Sequence, residues 1–71
     1  MKLSARNSLK GTIIEIVPGV VTAKVKLDIG GENIISAVIT VDSIEELNMK
    51  VGDAAYAIVK STEVMIGLED K

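Results

Sequence analysis

Apolar and polar residues alternate most clearly from Val20 to Ile29, with Val21, Ala23, Val25, Leu27 and Ile29 on one side and Thr22, Lys24, Lys26 and Asp28 on the other. A period of two marks a half-covered β-strand. Before it, the segment Gly11 to Val17 is rich in β-branched residues and ends at the turn dipeptide Pro18-Gly19, which predicts a first strand. Its two residue sets, Ile13/Glu15/Val17 and Thr12/Ile14/Ile16, both carry apolar side chains, as suits a strand covered on both sides. After Ile29, Gly30-Gly31 supplies the positive φ of a hairpin turn. A third strand from Asn33 to Val41 then returns antiparallel, with Ile35, Ala37, Ile39 and Val41 on one face.

The stretch from Asp42 to Leu47 reads as a capping box, in which Ser43 accepts from the Glu46 amide and a helix of one or two turns follows. Asn48 to Gly52 ends that helix. Two further strands are expected at Ala54 to Lys60 and Thr62 to Leu68, with Glu69 to Lys71 fraying. Five short strands with one short helix between the third and fourth predict an all-β, OB-like five-stranded barrel, and the 71 residues make one domain.

Composition adds a constraint on assembly. The chain is 48% hydrophobic yet has no Phe or Trp and a single aromatic residue, Tyr56, so its core is built from aliphatic side chains and Met. A domain this small buries a modest share of its surface, and scaffolds of this size are usually stapled by disulfides, a metal or oligomerisation. With no Cys and no His, oligomerisation is the device left, and a homo-oligomer is expected.

The same inventory narrows the function classes. Without His or Cys there is no Ser-His or Cys-His pair and no thiolate or imidazole metal site, and there is no P-loop, so no enzyme and no directly bound metal are expected. Glu45 and Glu46 read as a solvated first helical turn. A net charge of −2 and one aromatic argue against an OB-type nucleic-acid module, which pairs a basic groove with stacking aromatics. The N-terminus has no apolar leader run and no stretch is long enough to cross a bilayer, so a soluble, cytoplasmic protein without membrane partners is expected.

One local feature stands out. Ser4-Ala5-Arg6-Asn7 sets a hydroxyl, a guanidinium and an amide within four residues ahead of the first strand, and Lys60-Ser61-Thr62 gathers an ammonium and two hydroxyls far away in sequence. Brought together, within one chain or across a subunit contact, such donors suit a tetrahedral dianion. Read from the residues alone, the plainer alternative stays open: Ser4 and Asn7 cap a turn, Arg6 is a surface charge and Lys60 to Thr62 is an exposed strand junction.

The chain resembles the molbindins, the stand-alone form of the Mop or TOBE-type molybdate-binding domain. The resemblance rests on SARN at Ser4 to Asn7, LKG at Leu9 to Gly11, PGVVTAKVKL at Pro18 to Leu27, DSIEELNMKVGD at Asp42 to Asp53 and VKSTEVMIG at Val59 to Gly67. It implies molybdate or tungstate as ligand, no cofactor, and a homohexamer built as a trimer of dimers with oxyanion pockets between subunits. The principal pocket implied would draw on Ser4, Ala5 and Arg6 of one subunit and Lys60 and Ser61 of a neighbour, with Asn7 and Thr62 in support. A second, more backbone-dependent site is expected at Gly19, Val20, Val21 and Thr22, a segment that reads equally as an ordinary turn leading into a strand. Storage or homeostasis of molybdenum is the role this implies; the alternative that shares every compositional feature is a structural or regulatory oligomerisation domain that holds no ligand.

Overall fold

The computed structural model describes residues 6–70. Four antiparallel strands, β1 (Asn7–Pro18), β2 (Thr22–Gly30), β3 (Asn33–Thr40) and β4 (Ala54–Val59), form one sheet in the order β3-β2-β1-β4, with a helix α1 (Val41–Leu47) between β3 and β4. The sheet curls into a half-barrel, the OB-like architecture the alternation predicted, with four strands rather than five.

The expected fifth strand is the main departure. After β4 the chain makes a 3-10 turn (Ser61–Glu63), closed by the Glu63 amide on the Lys60 carbonyl at 2.9 Å, and continues to residue 70 without regular structure. A strand exists only where a neighbour supplies its ladder. Among the described residues nothing pairs with 64–68, and Met65, Ile66 and Leu68 remain 92%, 86% and 86% exposed.

β1 departs from strict alternation for an identifiable reason. Ile13 pairs with Leu27 and Glu15 with Lys26, so Ile14 is an extra residue, a β-bulge. The bulge changes the parity of the strand, so that Ile13 from one predicted set and Ile16 from the other both reach the core. Ile14 and Val17 are left exposed, and the strand is therefore not covered on both sides within one chain. Glu15 and Lys26, paired at the bulge, form an ion pair at 3.4 Å on the outer face.

β2 buries Ala23, Val25 and Leu27 as its alternation requires, while Val21 lies ahead of the strand and is exposed. Ile35 and Ile39 of β3 pack on this core, joined by Ile44 of α1 and by Met49. Gly30 and Gly31 both take the expected positive φ (92° and 61°), and Glu32 at 65° follows Gly31 as the second central residue of the hairpin that closes on the Gly30–Asn33 pair.

α1 starts directly from β3. Thr40, not Ser43, is its N-cap: the Ser43 amide donates to Thr40 Oγ1 at 3.0 Å, and the two hydroxyls lie 2.7 Å apart. With no loop between strand and helix, the last strand residue is already extended and takes the capping role. Asn48, at φ 50°, ends the helix. The following turn is closed by Asp53, which accepts from the Lys50 amide at 2.9 Å, and is fastened to β1 by bonds from the Ile13 amide to Asp53 O (2.9 Å) and from the Gly52 amide to Ile13 O (2.8 Å). Ile13, 2% exposed, thus anchors both the core and the entry to β4.

Close approach of β1 and β2 depends on Gly11, where a Cβ would stand 2.4 Å from the Asp28 carbonyl oxygen. Gly11→Ala is expected to cost roughly 1–3 kcal/mol, the usual range for overpacking, read as a lowered unfolding midpoint. Gly67→Ala, which meets nothing within 4 Å, is the control and is expected to leave it unchanged.

Candidate functional site

The site follows from how β1 meets β4. Their antiparallel register runs from Thr12 opposite Ala54 to Asn7 opposite Val59. Arg6 is the residue before Asn7 and Lys60 the residue after Val59, so the two cations, separated by more than fifty positions in sequence, stand one step beyond the same final rung. Both are exposed. Cross-strand neighbours at such positions have Cβ atoms roughly 5 Å apart, and like charges facing each other there are destabilising. Two exposed cations thus lie beyond the same end of the sheet.

Ser61 and Thr62 follow at once in the exposed 3-10 turn, for which Lys60 is the N-cap without a side-chain capping bond. The Lys60 side chain is thus not spent on its own turn. Ser4 and Ala5, the other members of the expected principal pocket, lie outside the described residues. Among the described residues neither Arg6 nor Lys60 is ion-paired with a carboxylate.

Asn7, expected as a supporting donor, makes a bond within the sheet. It is half-buried, and its Nδ2 donates to the Val59 carbonyl oxygen at 3.2 Å, across the same rung that aligns Arg6 with Lys60. Composition and spacing held no signal for this bond, because it exists only once β1 and β4 are in register.

The second expected segment, Gly19 to Thr22, forms a tight turn between β1 and β2. The Gly19 amide donates to Thr22 O at 2.8 Å, and Val21 O accepts from the Val41 amide at 2.8 Å, so these groups are committed within the fold. A Cβ at Gly19 would lie 2.8 Å from Thr22 O. The turn sits at the opposite end of the 12-residue β1 from Asn7, roughly 36 Å along the strand at ~3.3 Å per residue. The two expected anion segments are therefore separate within a chain.

The hollow of the half-barrel is a third feature, an open apolar cavity of about 110 Å³ whose lining residues, apart from Tyr56, are Ile, Val, Leu, Ala and Met. Among the described residues no cluster of three or more acidic side chains is arranged to hold a metal ion, and no helix is long and apolar enough to cross a membrane.

The TOBE domain family matches residues 3–66. A probable molybdenum-pterin-binding protein of Haemophilus influenzae is 51% identical over 69 residues, 97% of this chain and all of the relative. Molybdenum-pterin-binding protein 2 of Clostridium pasteurianum is 53% identical over 66 residues, 93% of this chain and 97% of the relative. Among solved structures, a molybdate-binding protein from Sporomusa ovata superposes with a TM-score of 0.90 at 43% identity, covering 96% of this chain and all of that one. The cytoplasmic molybdate-binding protein ModG, determined with molybdate bound, superposes at 0.90 with 38% identity, covering 97% of this chain and 49% of that one.

Side-by-side cations have a measurable signature. At low ionic strength in chloride, Arg6→Ala or Lys60→Ala is expected to leave the oxyanion-free protein as stable as wild type or to raise its midpoint by up to a few degrees. The difference should vanish near 1 M salt, where the screening length is ~3 Å. A drop of several degrees would mean that the cations hold the fold together instead.

Proposed function

The chain belongs to the TOBE domain family, and from that premise we propose that it binds molybdate, and tungstate by the same chemistry, in pockets between the subunits of a cytoplasmic homo-oligomer that stores or buffers molybdenum. The observation that carries this reading is the β1–β4 register, which sets Arg6 and Lys60 beyond one rung with Ser61 alongside. Its support from relatives is that proteins named for binding molybdate share the whole fold.

The physics of the pocket is the replacement of water around a dianion. A buried dianion is stable only when lost hydration is replaced by positive charge and donors, each charge-assisted hydrogen bond contributing roughly 1.5–3 kcal/mol. Arg6 and Lys60 match the two negative charges, and the hydroxyls of Ser4 and Ser61 with the Ala5 amide supply neutral donors. Phosphate near neutral pH carries a proton that needs an acceptor, whereas molybdate and tungstate offer acceptors only. Donors alone thus disfavour phosphate, and sulfate is left to be excluded by size.

The names of several relatives mention a pterin. Its ring carries several nitrogen and oxygen groups that lose water on burial, and the apolar hollow, with Tyr56 its one polar-tipped lining residue, offers too few partners. The oxyanion is the ligand that the side chains suit.

Assembly is supported by the apolar surface that one chain leaves uncovered. The open hollow and the exposed Val64, Met65, Ile66 and Leu68 both find cover in a second copy. The hexamer, the inter-subunit completion of the pocket, the second site at Gly19 to Thr22 and a single domain over residues 1–71 are parts of the same proposal. A ligand that binds across the contact stabilises the assembled form, by ~2.7 kcal/mol at a hundredfold excess over Kd.

Calorimetry on the purified oligomer is expected to show molybdate binding that weakens at least tenfold in Arg6→Ala and in Lys60→Ala, with folding kept. Unchanged affinity in both would remove them from the pocket. Saturating molybdate is also expected to raise the melting temperature of the oligomer; no shift would exclude a pocket that spans the contact.

A further inference from the structure

We infer that the outer face of the sheet, at the end where β1 turns into β2, is a second contact between copies of this chain, separate from the one across the hollow. This rests on the homo-oligomer proposed above and deepens it by naming a further surface and its occupant, the same surface of another copy.

The face is built by register. Val17 of β1 lies opposite Lys24 of β2, and Lys24 lies opposite Val38 of β3, so the three form one row across the sheet. Ala23 and Val25, on either side of Lys24, are buried, which turns the row away from the core. Val17 and Val38 are 48% and 71% exposed, and Val20 and Val21 in the adjoining turn are 98% and 68% exposed. Four valines left to water at one sheet end are an apolar patch of the kind that a partner covers. A copy seated on the hollow lies on the other side of the sheet and does not reach them.

Charge decides the occupant. Lys24 is the one charged residue of the row, and among the described residues it has no ion pair, whereas Lys26 on the next outward row is paired with Glu15. Covered by a purely apolar partner, Lys24 would become a costly unpaired charge, so the covering surface carries carboxylates. This chain has them at the same end. β3 runs from Val38 through Thr40 into α1, whose first residue is tied to the turn by the Val41 amide on Val21 O at 2.8 Å. Asp42 and Glu45 of that helix are exposed and, among the described residues, unpaired. A surface that sets valines and one cation beside acids is complementary to itself: about a twofold axis, each copy's Lys24 meets the acids of the other's α1. Because this contact and the hollow lie on opposite sides of the sheet, one chain makes both at once and the assembly exceeds a pair.

Native mass spectrometry of the full-length protein with molybdate present reads the number of copies. Wild type is expected as an assembly of more than two. Val38→Lys, which sets a second cation beside Lys24, is expected to fall to the pair held through the hollow, with its circular dichroism unchanged. Lys24→Glu, which faces acids with an acid, is expected to do the same, and adding Asp42→Lys and Glu45→Lys to it is expected to restore the larger assembly. Recovery by exchange of charges is something a mere loss of folding would not give. Wild type no larger than a pair overturns the inference, as does Val38→Lys with an unchanged copy number or a charge-exchanged variant that stays a pair. Wild type that stays monomeric overturns instead the oligomer on which it rests.

Discussion

The pairing of β1 with β4 is the constraint on which the remainder depends. β1 and β2 are the two inner strands, and β1 is the one that carries both the ladder to β2 and the ladder to β4. Its middle is anchored by Ile13, whose side chain is in the core and whose backbone fastens the Gly52-Asp53 turn. From that anchor the register toward Asn7 is set rung by rung, and it ends by bringing two cations to the same place. A one-residue slip would turn every side chain of β4 to the opposite face and separate Lys60 from Arg6.

A small aliphatic core does the anchoring. Ile13, Ala23, Val25 and Leu27 are buried, and the hollow beside them stays open to one side. That is a thin foundation for 71 residues, consistent with a protein whose stability is completed by copies of itself. In the proposed oligomer, with its ligand between subunits, ligand affinity and subunit affinity would be two expressions of one equilibrium.

Much of this was legible beforehand, and what was not has physical causes. The β2 alternation is a local property and translated directly into the buried face. The parity break in β1 was not legible, because a bulge at Ile14 depends on which residue β2 sets opposite; two half-apolar faces were its trace, and were read as double coverage. Capping by Thr40 in place of Ser43 depended on β3 running into the helix without a loop. The segment 62–68 has the composition of a strand, but a strand is a relation between two segments, and the second is not among the described residues of this chain. At the site, residue types offered Arg6, Lys60 and Ser61 as donors but left a plainer reading as caps and surface charge open; it was the resemblance that assigned them to a pocket, on different subunits, and the register adds that Arg6 and Lys60 lie beyond one rung within a chain. The Asn7 bond to Val59 could be read only from the fold.

The central claim is that this sheet end is where the oxyanion sits. Anomalous diffraction at the molybdenum edge, from crystals of the oligomer grown with molybdate, tests it most directly. The account predicts a peak beyond the Asn7–Val59 rung, with molybdate oxygens at hydrogen-bond distance, about 2.7–3.2 Å, from the Arg6 guanidinium and a Lys60 ammonium. Peaks confined to the Gly19–Thr22 turn or the apolar hollow, or no peak at all, would contradict it.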